Sequence, residues 1–210
     1  MIKIYWADAE GLDLSAVLPL SEYRKNRLAA LVPEQARRDS VCAELLLREA
    51  LRREGFPSDG PLGIEADANG KPFLTNGAFF FNLTHSGHHS ACAIADCPVG
   101  LDLQAPATEA LRLAERFFTE KEKEAVLQAK DPCAAFSRLW ARKESFLKAI
   151  GLGLRRPLDD FDVSGEPPLV PCGGELFVFR EWSVDGLALC LCAGRDELPL
   201  SVPILKLELP

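Results

Sequence analysis

The chain has 210 residues, 48% of them hydrophobic, which is enough to build one compact unit or two small packed halves and excludes a disordered segment. The formal net charge of -7 argues against a nucleic-acid binder, and no apolar run approaches the roughly 20 residues that cross a bilayer. The start, Met1-Ile2-Lys3-Ile4-Tyr5-Trp6, reads as a strand without the parts of an export signal, so a cytoplasmic protein is expected. Seven scattered cysteines with no C-x-x-C pair are expected to be free, buried thiols in a reducing compartment, forming neither a disulfide framework nor a zinc site.

After the first strand, Leu14 to Leu20 reads as a connector. Ser21-Glu22 then opens a helix, with a capping serine and an acid in the first turn. A second helix is predicted from near Pro33 to about Arg53, ending at Gly55-Phe56-Pro57, with Val41, Leu45, Leu46 and Ala50 at helical spacing. Between Arg24 and Arg53 lie eight basic residues against four acids, a local excess in an acidic protein that is either a solvated face or a seat for an anionic small molecule. Strands are expected over Leu62 to Ala66, Ala78 to Leu83, Ser90 to Ala95 and Val99 to Leu103.

The second half repeats the plan. Thr119-Glu120 opens a helix, and a break at Asp131-Pro132 precedes a long helix from about Cys133 to Ile150, stopped by Gly151-Leu152-Gly153. Strands are predicted over Phe161 to Val163, Glu175 to Trp182, Leu187 to Ala193 and Val202 to Leu207. The reading is an α+β fold with a weak internal duplication: an N-terminal half over 1–100 and a C-terminal half over 101–210, each a helix pair on a small antiparallel sheet, with a ligand cleft between them.

Four segments could carry chemistry. In Val99-Gly100-Leu101-Asp102-Leu103-Gln104, alternation sends Asp102 and Gln104 to the face opposite Leu101 and Leu103, and Gly100 admits close approach of a backbone or ligand. Asp102 is then a surface carboxylate or a site carboxylate. In the long helix, Phe136, Trp140, Glu144 and Lys148 are four apart and share one stripe. An exposed Glu–Lys pair is the bland reading, but two aromatics on the same stripe argue for partial burial, where carboxyl pKa values shift and metals or phosphates bind. Asp102 with Glu144 would suit Mg²⁺, with Lys148 as a point charge for phosphates. All three histidines fall in Phe80 to His89; no cysteine or acid spacing there completes a zinc set, His85 could point into a cleft, and His88 and His89 are expected on the surface. Asn69-Gly70-Lys71-Pro72 is a turn that would hold Lys71 in a defined place.

Gly70-Lys71-Pro72, Phe81-Asn82-Leu83-Thr84-His85-Ser86-Gly87, Val99-Gly100-Leu101-Asp102 and Trp140-x-x-Lys143-Glu144-Ser145-x-x-Lys148, in this order, resemble the Sfp-type 4'-phosphopantetheinyl transferases (holo-carrier-protein synthases). The resemblance spans roughly Arg24 to Leu154; beyond that only the general strand pattern agrees. It implies a pseudo-dimer of two α+β halves and a Mg²⁺-dependent, monomeric enzyme. Such an enzyme moves the phosphopantetheine arm of coenzyme A to a serine of an acyl or peptidyl carrier protein, releasing 3',5'-adenosine bisphosphate, with no nucleic-acid or membrane partner.

Residue by residue, the resemblance makes Asp102 and Glu144 metal ligands, and Glu144 the acceptor of the serine proton. Many relatives carry an acid where this chain has Gln104, which leaves the third metal position to an amide or a water. Lys148 corresponds to the lysine on the coenzyme A phosphates; Lys71 with Pro72, Thr84 and His85 correspond to further nucleotide and phosphate contacts, with His85 counted in the catalytic set. Arg24, Arg27, Arg38 and Ser40, matched by spacing, fall where the family binds the 3'-phosphate and adenosine. Two other readings stand beside it: a coenzyme A-binding regulator that has lost catalysis, prompted by Gln104, and another phosphate-handling enzyme such as a small kinase, against which counts the lack of a G-x-x-x-x-G-K-[ST] loop.

Overall fold

The computed structural model describes residues 1–10 and 19–209, so most of the expected connector from Leu14 to Leu20 lies outside the described residues. The chain is α+β and divides into two units, one made of Met1–Cys97 with Leu200–Pro210 and one of Pro98–Pro199. Among the described residues no helix is long and apolar enough to cross a membrane.

The first unit is built on a four-stranded sheet of order β10-β1-β5-β4, from β1 (Ile2–Asp8), β4 (Phe80–Ser86), β5 (His89–Ala95) and β10 (Ile204–Lys206). A two-stranded ribbon of β2 (Ile64–Ala66) and β3 (Pro72–Leu74) accompanies it. Helix α1 (Glu22–Ala30) starts where expected, because the Ser21 side chain accepts from the Arg24 N–H. Helix α2 (Glu34–Arg53) carries Leu46, Leu47, Ala50 and Leu51 into a core with Tyr5, Phe81, Cys92 and Ile94 of the sheet. Each such side chain withdrawn from water favours folding by roughly 1.5–3 kcal/mol before entropy is counted.

The second unit has the sheet β6-β9-β8-β7, from β6 (Val99–Gln104), β7 (Leu169–Cys172), β8 (Glu175–Val184) and β9 (Leu187–Gly194), all antiparallel. Helices α3 (Ala110–Phe117), α4 (Glu120–Gln128) and α5 (Pro132–Ile150) complete it. Thr119 and Glu122 form a reciprocal capping box on α4. On α5, Asp131 caps the first turn, Pro132 occupies it, and Gly151 ends the helix at φ 70°, a left-handed conformation suited to glycine.

Two expectations differ from the structure. Phe161 to Val163 is not a strand, because side chains take its backbone groups: Lys143 donates to Phe161 O, Arg142 donates to Val163 O, and the Val163 N–H donates to Glu122. The sheet position goes to Leu169–Cys172 instead. The last eleven residues, placed by sequence in a second half running to 210, pack with the first unit, since β10 pairs in parallel with β1. All seven cysteines are free, and Cys42, Cys92, Cys97, Cys190 and Cys192 are buried.

Candidate active site

Strand β6 and helix α5 of the second unit lie in close contact because of one residue. A Cβ on Gly100 would stand 1.9 Å from the Ser145 carbonyl oxygen and 2.4 Å from the Ala149 nitrogen. Only hydrogen fits there, so the helix backbone rests directly on the strand. Two residues along, alternation puts Asp102 on the same face. It is 6% exposed, where sequence alone allowed a surface position.

Lys148, on the last turn of α5, reaches across to Asp102, its Nζ 2.6 Å from Oδ1, and also donates to Leu101 O at 3.1 Å. One helical turn before it stands Glu144, half-buried. Burial pushes its carboxyl pKa up; the Lys148 charge pulls it down, and the Asp102 charge pushes it up further. A buried acid, a half-buried acid and a lysine therefore share one electrostatic neighbourhood. Upstream on the stripe, Trp140 packs 5.4 Å from Phe136, and Phe136 stacks 4.9 Å from Phe118. Gln104 is half-buried at the end of β6; its side-chain amide donates to Ala105 O at 3.4 Å. With Ser137, Arg138, Trp182 and Leu189 it lines a groove of about 420 Å³.

The donor set suits a hard divalent cation, because two carboxylates with one lysine between them leave negative charge in a partly desolvated place. Asp102 and Glu144 would hold such an ion, with Gln104 offering an amide oxygen or a bridging water nearby. The raised pKa of Glu144 comes first from burial, with the Asp102 charge adding to it and the Lys148 charge opposing it.

Sequence reasoning quoted Lys143 only within a motif and gave neither it nor Arg142 a role, yet these two set the helix in place. Lys143 is fully buried; it pairs with Glu122 at 2.8 Å and donates to Leu158 O and Phe161 O, both at 2.6 Å. Arg142, also fully buried, bonds Glu181, Glu166 and Val163 O. The available signal was the charge pair inside a helix whose neighbours are apolar.

The other expected residues lie in the first unit. Arg24 is buried, 3.3 Å from Glu44, and donates to Ser40 Oγ at 3.0 Å. Arg27 is exposed, its guanidinium 6.0 Å from the Tyr23 ring centre. Arg38 is half-buried on α2. The Lys71 N–H donates to Asp67 Oδ1 at 2.9 Å within the turn, and half-buried Pro72 begins β3. Thr84 is buried in β4, while the His85 ring is exposed, its Nδ1 3.6 Å from Asp39 Oδ2. The structure thus brings Asp102, Glu144 and Lys148 together in one unit, and Arg24 with Ser40 in the other.

Residues 98–192 match the family model described as the 4'-phosphopantetheinyl transferase superfamily. The chain is 28% identical over 216 residues to the 4'-phosphopantetheinyl transferase ffp of Bacillus subtilis, covering 90% of this chain and 94% of that protein. It is 26% identical over 212 residues to the 4'-phosphopantetheinyl transferase Sfp of Bacillus subtilis (strain 168), with the same coverage of both. It is 32% identical over 151 residues to the L-aminoadipate-semialdehyde dehydrogenase-phosphopantetheinyl transferase of Saccharomyces cerevisiae, covering 66% of this chain and 50% of that protein. The matched stretch contains β6 and α5 with every residue of the carboxylate and lysine cluster, so residues 98–192 carry the domain of the 4'-phosphopantetheinyl transferase superfamily.

Proposed function

We propose that this chain transfers the 4'-phosphopantetheine group of coenzyme A to a serine of an acyl or peptidyl carrier protein in a Mg²⁺-dependent reaction, releasing 3',5'-adenosine bisphosphate. The observation that carries the reading is the convergence of Asp102, Glu144 and Lys148, with the Glu144 carboxyl held above its usual pKa. Lys148 places a cation where phosphoryl oxygens gain charge, the main source of rate in such transfers. Glu144 accepts the proton of the carrier serine as the serine oxygen bonds to the β-phosphorus. The bond from that phosphorus to the adenosine bisphosphate oxygen breaks, and the electron pair leaves with the nucleotide. A carboxylate whose pKa is raised toward the working pH is a stronger base than an ordinary glutamate. When bound by Asp102 and Glu144, the divalent ion would add charge neutralisation at the diphosphate.

Arg27, Arg38, Lys71, Thr84 and His85 are the first-unit groups we assign to the nucleotide and its phosphates. Arg24 and Ser40 of the same unit form a fixed pair, since Arg24 donates to Ser40 Oγ and its charge is met by Glu44. We read the two units as a duplication, because each sets a long helix, α2 or α5, on a four-stranded sheet. We expect a cytoplasmic monomer whose partners are coenzyme A and a carrier protein.

The test is mass spectrometry of several carrier proteins after incubation with enzyme, coenzyme A and Mg²⁺. The parent chain should add one phosphopantetheine to some of them. Glu144→Gln should lose at least about 10³-fold in rate, roughly 4 kcal/mol of barrier, and keep its fold. The Glu144 carboxyl should also set the acid limb of the pH profile: activity in the parent falls as pH drops through its raised pKa, because the protonated carboxyl cannot accept a proton. Full activity in Glu144→Gln sinks the assignment. Coenzyme A binding without transfer to any carrier by the parent chain favours a binding regulator.

A further inference from the structure

We propose that Asp8, His88 and His89 form a binding site for a divalent transition metal of the zinc class at one end of the first unit's sheet. Sequence spacing gave the histidine run no acid to complete a ligand set, and strand register supplies one. Asp8, the last residue of β1, lies directly opposite His89, the first residue of β5. Cross-strand partners point to the same face of a sheet. His88 sits beside them at the end of the β4–β5 turn, which the Ala9 N–H fixes by donating to His88 O at 2.8 Å. One potential ligand atom from each of the three residues lies within 4.8 Å of the others, and His88 Nε2 is 3.8 Å from Asp8 Oδ1. Ligand atoms on a tetrahedral zinc stand roughly 3.3 Å apart, so small side-chain rotations close the set.

The surroundings are those of a built site. His89 is 7% exposed, not on the surface as expected from sequence, and its ring lies 4.3 Å from that of His88 and 6.0 Å from that of Trp6. Burial limits the rotamers that must be ordered on binding. His88 and Asp8 are more open, which leaves a path for the ion and a coordination position for water. The Glu10 N–H donates to Asp8 Oδ1, holding the carboxylate charged. Lys206 Nζ lies 4.7 Å from the Trp6 ring centre, and its charge also acts on Asp8. Two imidazoles and one carboxylate favour zinc, cobalt, nickel or copper over magnesium, so the site differs in chemistry from the pair Asp102 and Glu144. This inference does not depend on the transfer reaction.

The experiment is titration of the untagged full chain with Co²⁺, read by its visible d–d absorption, with Zn²⁺ then competing for the same site. It is run in the Glu144→Gln background so that the second unit's carboxylates contribute little. One equivalent of Co²⁺ with a spectrum free of thiolate charge transfer, displaced by Zn²⁺, is expected. Asp8→Asn and His88→Gln, both at accessible positions, should each weaken binding by more than the roughly 10- to 100-fold that loss of an outer-shell partner costs. Circular dichroism of these variants should match the parent. Unchanged affinity in both variants, a thiolate band showing cysteine ligation, or no stoichiometric binding overturns the proposal.

Discussion

Helices α2 and α5 both bury charge, and they do so to opposite ends. On α2, Glu44 is fully buried and accepts from the Ser21 N–H and hydroxyl at 2.6 and 2.7 Å, while Arg24 and Arg48 stand 3.3 and 3.4 Å away. Arg48 also donates to the Ser58 and Gly60 carbonyls. The acid is surrounded by cations and donors, and its role is to tie α1, α2 and the following loop together. On α5, Lys143 and Arg142 are satisfied in the same manner, but one face turns the balance round. Asp102 and Glu144 share one lysine, and the Glu144 pKa is raised. Buried charge whose partners all come from the chain holds a fold together, whereas a half-buried carboxyl held above its usual pKa is poised to take a proton or a cation.

Breaking a compensated group should cost stability, and the largest loss is expected at Lys143. Lys143→Met leaves Glu122 charged and buried and should destabilise by about 3–5 kcal/mol in chemical denaturation; adding Glu122→Leu should restore part of it. Gly100→Ala comes next. Its methyl meets helix backbone that cannot rotate away, so about 1–3 kcal/mol or more should be lost together with activity as α5 lifts from β6. Relieving the surplus should do the reverse. A carboxyl whose pKa is raised on folding binds its proton more tightly in the folded state. Its stabilising effect is present at low pH and disappears as pH rises from the ordinary 4.5 through the raised value. Glu144→Gln should therefore melt above the parent at pH 7, by about 2–4 °C for each kcal/mol relieved, and the gap should close below pH 4.5. A lower melting point for Glu144→Gln at pH 7 would contradict the contrast between the two helices.

Much of this was legible in the sequence where the cause is local. Ser21, Thr119 and the Asp131-Pro132 pair announce their helices because capping acts within one turn. The stripe of Trp140, Glu144 and Lys148 follows from helical period alone, and Gly100 signalled the close approach that places Asp102 beneath it. What sequence hid depends on distant partners. Helix α3 follows Glu109, which makes no side-chain cap, and so carries no local start signal. Strand β7 carries Pro171, which reads as a break and is tolerated because β7 is an edge strand. The basic excess around α2 reads as a solvated face or an anion seat, and sequence does not show that Arg24 and Arg48 meet Glu44 while Arg52 and Arg53 meet Glu49. Asp8 and His89 are far apart in the chain, and only β-sheet register makes them neighbours.

The parallel pairing of β10 with β1 has a consequence for how the molecule is made. Residues 98–199 form an uninterrupted insertion, so every residue of the second unit has left the ribosome before the first unit receives its final strand. Joining the two pieces of the first unit around an unfolded insert of about a hundred residues would cost roughly 4 kcal/mol of loop entropy. β1 can thus pair with β5 before the second unit is made, but it gains β10 only after that unit is complete.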